Sequence, residues 1–232
     1  MDSDAWVENN DQSQKRVLVE KKASVLAGLA ATTIVMTREG EMPLEWLIPG
    51  DEVLTRDRGF EPVIWINRVK LDRKDMRAFP EFAPIKIKAG SIEENVPETD
   101  ITVSPHQLFL ARSPRAELNF GSNEVLVPAA AIGSRTDTEN MQWDTRVSYV
   151  QVLLASHQAI LTDGLWVGSL FTGQLAVDLR AADCPLAAML EVRDMKATRP
   201  ILSEDEGRVL MHEIWHDRAA RDLNDMDTAK AG

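Results

Sequence analysis

The sequence predicts a mainly β architecture of short, curled strands with a C-terminal helical extension. Two observations carry the β part. Short β-branched or apolar runs recur at close spacing between about residues 25 and 175, and Gly, Pro and Asp-Gly turns punctuate them. A third observation carries the extension. From about residue 177 the pattern changes, and it ends in a capped segment with an apolar stripe at helical spacing. Long helical patterns alternating with strands, the mark of a parallel βαβ sheet, do not appear. The expected organisation is a polar N-terminal segment over 1–24, a β domain over 25–175 and a partly helical extension over 176–232.

Each element has a local reason. Met1 to Gln14 is polar and acidic and is expected to be loose, and Lys15 to Lys22 fits a short strand or a helix equally. Thr32 to Met36 is a short β-branched strand, and Arg38 to Glu41 offers a turn. Ile48-Pro49-Gly50-Asp51 is a second turn, because Pro presets φ and Gly accepts a positive one. Glu52 to Thr55 is a strand. Asp57-Arg58-Gly59 turns the chain into Glu61 to Leu71, which alternates as one further strand. Residues 72–82 and 112–123 are charged or polar and read as loops. Ala83 to Ile87 is a strand. Thr99 to Leu110 is a β-prone run interrupted at Ser104-Pro105, and Glu124 to Pro128 is a strand entering a small apolar turn of helix. Arg146 to Leu154, Gln158 to Leu161 and Trp166 to Phe171 follow, with Asp163-Gly164 turning the last pair. Ser203 and Glu206 form a capping box, and Leu210, Met211, Ile214 and Trp215 share one helical face. Asn224 to Gly232 is expected to fray. Trp46, Trp65 and Trp166 are expected as core anchors.

Composition excludes several classes. The 232 residues carry 26 Lys+Arg against 37 Asp+Glu, a net charge of −11, which opposes a general nucleic-acid binder. One Cys, Cys184, excludes a disulfide framework and a multi-Cys zinc cluster; it is expected as a packed small residue. No apolar run reaches the length of a membrane span. The stretch Val25 to Met36 reads as a strand rather than a targeting segment, so the expected location is cytoplasmic. No phosphate loop, dinucleotide fingerprint or Gly-x-Ser-x-Gly elbow occurs, which leaves Ser104 without a hydrolase context. No cofactor is called for.

Three stretches carry a resemblance. They are GLAATTIVMTREGEMPLEWLIPGDEVLTRDRGFEPVIWI (28–66), ITVSPHQLFL (101–110) and YVQVLLASHQAILTDGLWVGSL (149–170). Their order resembles the Hint module shared by Hedgehog C-terminal domains and inteins, and is most similar to the bacterial stand-alone members. Glu45, Leu47, Gly50, Asp51, Val53, Leu54 and Thr55 match the family pattern P-V-E-x-L-x-x-G-D-x-V-L-T. The resemblance implies a β horseshoe. It also implies an intramolecular acyl shift, in which a thiol or hydroxyl attacks the carbonyl just before it while a Thr/His block polarises and protonates the departing amide.

The departures bear on activity. Gly28 aligns with the nucleophile, and glycine has no attacking atom. Thr102 and His106 stand in the second block, but a gapless alignment puts Gln107 rather than His106 at the catalytic place. His157 lies in the closing hairpin, as a structural histidine or a remnant acid–base group. Neither an Asn near Leu165 to Leu170 nor a downstream nucleophile supports splicing. The implied candidate site is therefore His106, His157 and Thr102 around Gly28. The expected function is a degenerate, non-catalytic interaction or scaffold module, open to a protein partner of unknown identity. The alternative is self-cleavage by intramolecular autoproteolysis through an atypical residue.

A distant third reading is a zinc protease, because His212-Glu213-Ile214-Trp215-His216 fits H-E-x-x-H. Two His at i and i+4 share a helical face, but here that face lies about 150° from the apolar stripe at 100° per residue. No His or Glu follows to supply a third ligand. A solvated helical face is expected, and no metal.

Overall fold

The computed structural model describes residues 26–90, 92, 95–132, 146–170 and 196–230, with side chains to residue 219. The expectations for Met1 to Gln14, Lys15 to Lys22 and Cys184 lie outside these residues. Two antiparallel sheets make up most of the fold. The first contains β1 (Leu29–Ala30), β6 (Trp65–Leu71), β7 (Ile85–Ile87), β8 (Ile101–Val103) and β11 (Val147–Leu153), in the order β6-β11-β1-β8-β7. The second contains β2 (Ile34–Thr37), β3 (Gly40–Pro43), β4 (Glu52–Thr55), β5 (Gly59–Pro62), β9 (Leu108–Arg112), β10 (Glu124–Pro128), β12 (Ala159–Thr162) and β13 (Leu165–Gly168). Its order is β10-β9-β13-β12-β2-β4-β5, with β3 paired to β2. The chain crosses between sheets, from β1 to β2 and from β8 to β9. One apolar cluster containing Leu29, Val53, Val103, Val125, Val150 and Val167 therefore serves both. Strands this short gain most of their stability from such shared burial.

The expected turns form for the stated reasons. Gly50 has φ 101°, the Ile48 N–H donates to Asp51 Oδ2 at 2.8 Å, and the Gly50 N–H donates to the Val63 carbonyl. Asp163 and Gly164 have φ 43° and 77°. Both positive, they suit the two-residue hairpin between β12 and β13.

Four expectations need correction. Glu61 to Leu71 is not one strand. It divides at Val63-Ile64 into β5 and β6, which pair with different partners, β4 and β11. Residues 72–82 hold α1 (Arg73–Ala78), where Asp72 and Asp75 form a reciprocal capping box, and a 3-10 turn (Pro80–Phe82). Residues 112–123 hold α2 (Pro114–Phe120), with Ser113 as N-cap, Pro114 in the first turn and Gly121 left-handed at its end. Among the tryptophans, Trp46 is 68% exposed. It sits in the 3-10 turn Leu44–Trp46, where Leu44 takes the single inward position. Trp65 and Trp166 are half-buried, and the Arg56 guanidinium covers the Trp166 ring at 5.6 Å.

After α3 (Ala129–Ile132), α4 (Glu204–Lys230) closes the described chain and is helical over residues 224–230, which were expected to fray. Its capping box forms, with Ser203 N donating to Glu206 Oε2 at 2.8 Å and Glu206 N to Ser203 Oγ at 3.3 Å. Leu210, Met211 and Trp215 are buried in the main cluster and Ile214 packs against it. Just before the helix, the chain runs parallel to β10: Leu126 N donates to the Pro200 carbonyl and Leu202 N to the Leu126 carbonyl. No helix among the described residues is long and apolar enough to cross a membrane.

Candidate active site

Residues 26–28 lead into β1 and lie against β8 and β11. Their three consecutive carbonyls are all held. Ser104 Oγ donates to the Leu26 carbonyl, Gln151 Nε2 to the Ala27 carbonyl at 2.7 Å, and Ser104 N to the Gly28 carbonyl at 2.9 Å. Ser104 is fully buried where β8 ends and the chain turns at Pro105. Gln151 stands in β11 directly opposite Asn67 of β6. Asn67 Nδ2 donates to Gln151 Oε1 at 2.9 Å. That bond occupies the acceptor end of the glutamine amide and leaves its N–H end facing Ala27. A pocket of about 20 Å³ adjoins these groups, lined in part by Ala27, Gln107, Gln151, Gly168 and Ser169; that is room for one water.

Gly28 contributes no side chain, and its surroundings leave no space for one. A Cβ built on Gly28 would stand 2.8 Å from Tyr149 Cβ. Tyr149 is wholly buried, and its hydroxyl donates to the Phe82 carbonyl at 3.0 Å. Leu26 packs in the same small cluster as Tyr149, Val69, Leu71, Met76 and Phe82, so the entering chain is fixed by packing as well as by hydrogen bonds.

The residues expected at the site are dispersed. Gln107 lines the pocket, and its Nε2 donates to the Gly168 carbonyl at 2.8 Å and to the Leu108 carbonyl at 3.2 Å. His106 presents its ring edgewise to Phe82 at 6.2 Å. Among the described residues its buried Nδ1 has no hydrogen-bond partner. Burial lowers its pKa, against the opposing pull of Glu204 and Glu81. Neighbouring side chains leave this turn in different directions, so the one-residue difference between His106 and Gln107 decides which of them lines the pocket. Thr102 is half-buried between Ile101 and Val103, which point into the core, and pairs across the sheet with Lys86. It is not among the pocket-lining residues.

His157 is 1% exposed. Thr198 N donates to its Nδ1 at 3.3 Å, and Thr198 Oγ1 lies 3.2 Å from the same atom. A ring nitrogen that accepts an N–H is unprotonated, which places the proton of the neutral ring on Nε2. Burial pushes the pKa down to about 4. Nε2 lies 3.1 Å from where a Cβ on Gly168 would stand, so the imidazole fills the space a side chain there would need. His157 thus backs the pocket wall from behind Gly168. Thr198 is held in reach by its neighbour. Arg199 is bidentate to Asp57 at 2.7 and 3.1 Å and also donates to Glu124 at 2.9 Å. Arg56 meets the same carboxylate at 2.8 Å. Burial works to raise the Glu124 pKa, but the two guanidinium groups outweigh it and hold it below the usual carboxylate value.

His212 and His216 are exposed on α4, with ring centroids 6.4 Å apart. Among the described residues, no group of three His, Cys, Asp or Glu could hold a metal. The Ala27 carbonyl, by contrast, accepts from a buried donor, Gln151, and Gly28 after it has no attacking atom. Sequence reasoning missed Gln151 and Asn67. The only hint was a pair of amide residues inside otherwise β-prone runs, and their partnership depends on a register between strands 84 residues apart.

The Hint domain family model matches residues 27–174, and the chain belongs to that family. Among solved structures it is similar to the gp41-1 intein, at 15% identity over 61% of this chain and 98% of that one, with a TM-score of 0.36. A substituted form of the same intein gives 13% identity, the same coverage and a TM-score of 0.31. No curated protein matches.

Proposed function

We propose that this chain is a Hint-domain protein that keeps its Ala27–Gly28 bond intact and serves as an interaction or scaffold module for a protein partner. One observation carries the reading. Gly28 offers no thiol or hydroxyl, and the 2.8 Å approach of Tyr149 Cβ leaves no room for a side chain there. Nearby groups do not replace the missing nucleophile. Ser104 Oγ is engaged on the Leu26 carbonyl, and the first threonine, Thr32, follows the bond by four residues. The net charge of −11 favours a protein partner over nucleic acid.

The test is an intact mass. After incubation with a strong thiol or with hydroxylamine, the expected result is an unchanged 25.9 kDa species. Fragments ending at Ala27 and beginning at Gly28 would overturn the reading. A second reading, self-cleavage through an atypical nucleophile, is favoured by the Gln151 donor on the Ala27 carbonyl. In that case fragments ending at Ala27 appear in the native chain and are lost in Gln151→Leu.

A further inference from the structure

We infer that Gln151, aimed by Asn67, is the carbonyl-activating donor of this site and that this part of the machinery is intact, an inference that rests on the reading of Gly28 as the lost nucleophile. The geometry is specific. Gln151 is 7% exposed, so its amide must find partners within the protein. Its two ends are used in opposite senses. Oε1 accepts from Asn67 Nδ2 at 2.9 Å, and Nε2 donates to the Ala27 carbonyl at 2.7 Å. A glutamine could be placed either way round on size alone, but the Ala27 carbonyl can only accept, so the N–H end must face it, and the Asn67 amide supports that orientation by donating to Oε1. The two residues are direct cross-strand partners, so the orientation is built into the β6–β11 register.

A preorganised N–H on a carbonyl oxygen, in a site with room for one water, is the arrangement that stabilises a developing oxyanion. Gln107 does not share this task, since its N–H groups are committed to Gly168 and Leu108. Ser104 holds the carbonyls on either side and so fixes the plane of the Ala27–Gly28 peptide. Gln151 touches the reacting carbonyl, whereas Asn67 acts through it as a positioning residue.

Two experiments test this. The first leaves Gly28 in place. The sequence has three Ala-Gly pairs, at 27–28, 89–90 and 231–232. Protein labelled with carbonyl-13C alanine and 15N glycine therefore gives only three amide–carbonyl correlations. In Gln151→Leu the Ala27 carbonyl should move upfield as its hydrogen bond is lost, while Ala89 and Ala231 stay. The isosteric Asn67→Asp should move it too, with little change in melting temperature, because a carboxylate attracts the N–H end of Gln151 away from Ala27. An Ala27 resonance unmoved by either substitution overturns the inference.

The second experiment supplies a nucleophile. In Gly28→Cys, the introduced sulfur forms a bond to the Ala27 carbonyl carbon. The Ala27 C–N bond then breaks, and the released α-amine takes up the thiol proton. Added dithiothreitol displaces the resulting thioester, leaving fragments of residues 1–27 and 28–232. Cleavage should fall about 100-fold when Gln151→Leu is added, the cost of losing one oxyanion donor. Equal rates, or a folded Gly28→Cys chain that stays whole, overturn the inference. If crowding against Tyr149 prevents that variant from folding, the carbonyl resonance decides alone. Cleavage of the unsubstituted chain would count against the non-cleaving reading and not against this one.

Discussion

Acidification should destabilise the protein through His157, and the size of the effect follows from its burial. The unfolded chain titrates this imidazole near its ordinary value of 6.5, whereas in the fold burial pushes it down to about 4. Between these values the unfolded state binds more protons than the folded one, so stability falls as pH drops through the interval. The contribution is complete above the unfolded value and is lost progressively towards the folded one. At about 1.4 kcal/mol per tenfold ratio, it amounts to about 3 kcal/mol between pH 7 and about pH 4. His106, also lowered by burial, adds to the loss in the same direction. Urea unfolding of the native chain and of His157→Gln at both pH values isolates the term. His157→Gln starts less stable, because it gives up the Thr198 contacts and the packing against Gly168. Across the interval, however, it should lose about 3 kcal/mol less than the native chain. Equal losses in the two proteins would refute the claim that His157 is held neutral by burial.

Three further outcomes are expected. Gly207→Ala sets a helix-propensity gain of about 1 kcal/mol against a Cβ standing 2.7 Å from Val127 Cγ1 and 2.9 Å from Ala131 Cβ. Overpacking costs about 1–3 kcal/mol, so chemical denaturation should show a net loss, and a stabilised variant would contradict the packing. Truncation after Pro200 removes the buried Leu210, Met211 and Trp215, each worth about 1.5–3 kcal/mol. The melting temperature should fall and an apolar dye should bind, whereas an unchanged melting curve would make the β module complete without α4. Zinc should show no sub-micromolar site by calorimetry, since His212 and His216 are exposed and lack a supporting shell. A tight site abolished by His216→Ala would revive the protease reading.

What was legible in the sequence was what depends on neighbouring residues. Glu52–Thr55 and Glu124–Pro128 are strands at the expected bounds, because alternation and flanking turns fix them locally. Ser203 and Glu206 announced their helix for the same reason. The two missed helices carried signals of the same kind, Asp72 with Asp75 and Ser113-Pro114 with Gly121. They are six and seven residues long, too short for a polar run to display helical periodicity. Trp46 was misjudged because a 3-10 turn offers few inward positions and Leu44 holds the buried one.

The site obeys a different rule. Gly28 could be located by alignment, since it depends on position along one chain. The choice between His106 and Gln107 depends on which way a turn releases its side chains, and the Asn67–Gln151 pair on how two remote strands register. Neither is a property of local sequence. The residues that define the chemistry at Ala27 are therefore those the pattern hides best. In this chain the Gln151 amide, placed by the β6–β11 register, reaches the Ala27 carbonyl, whereas His106 packs against Phe82.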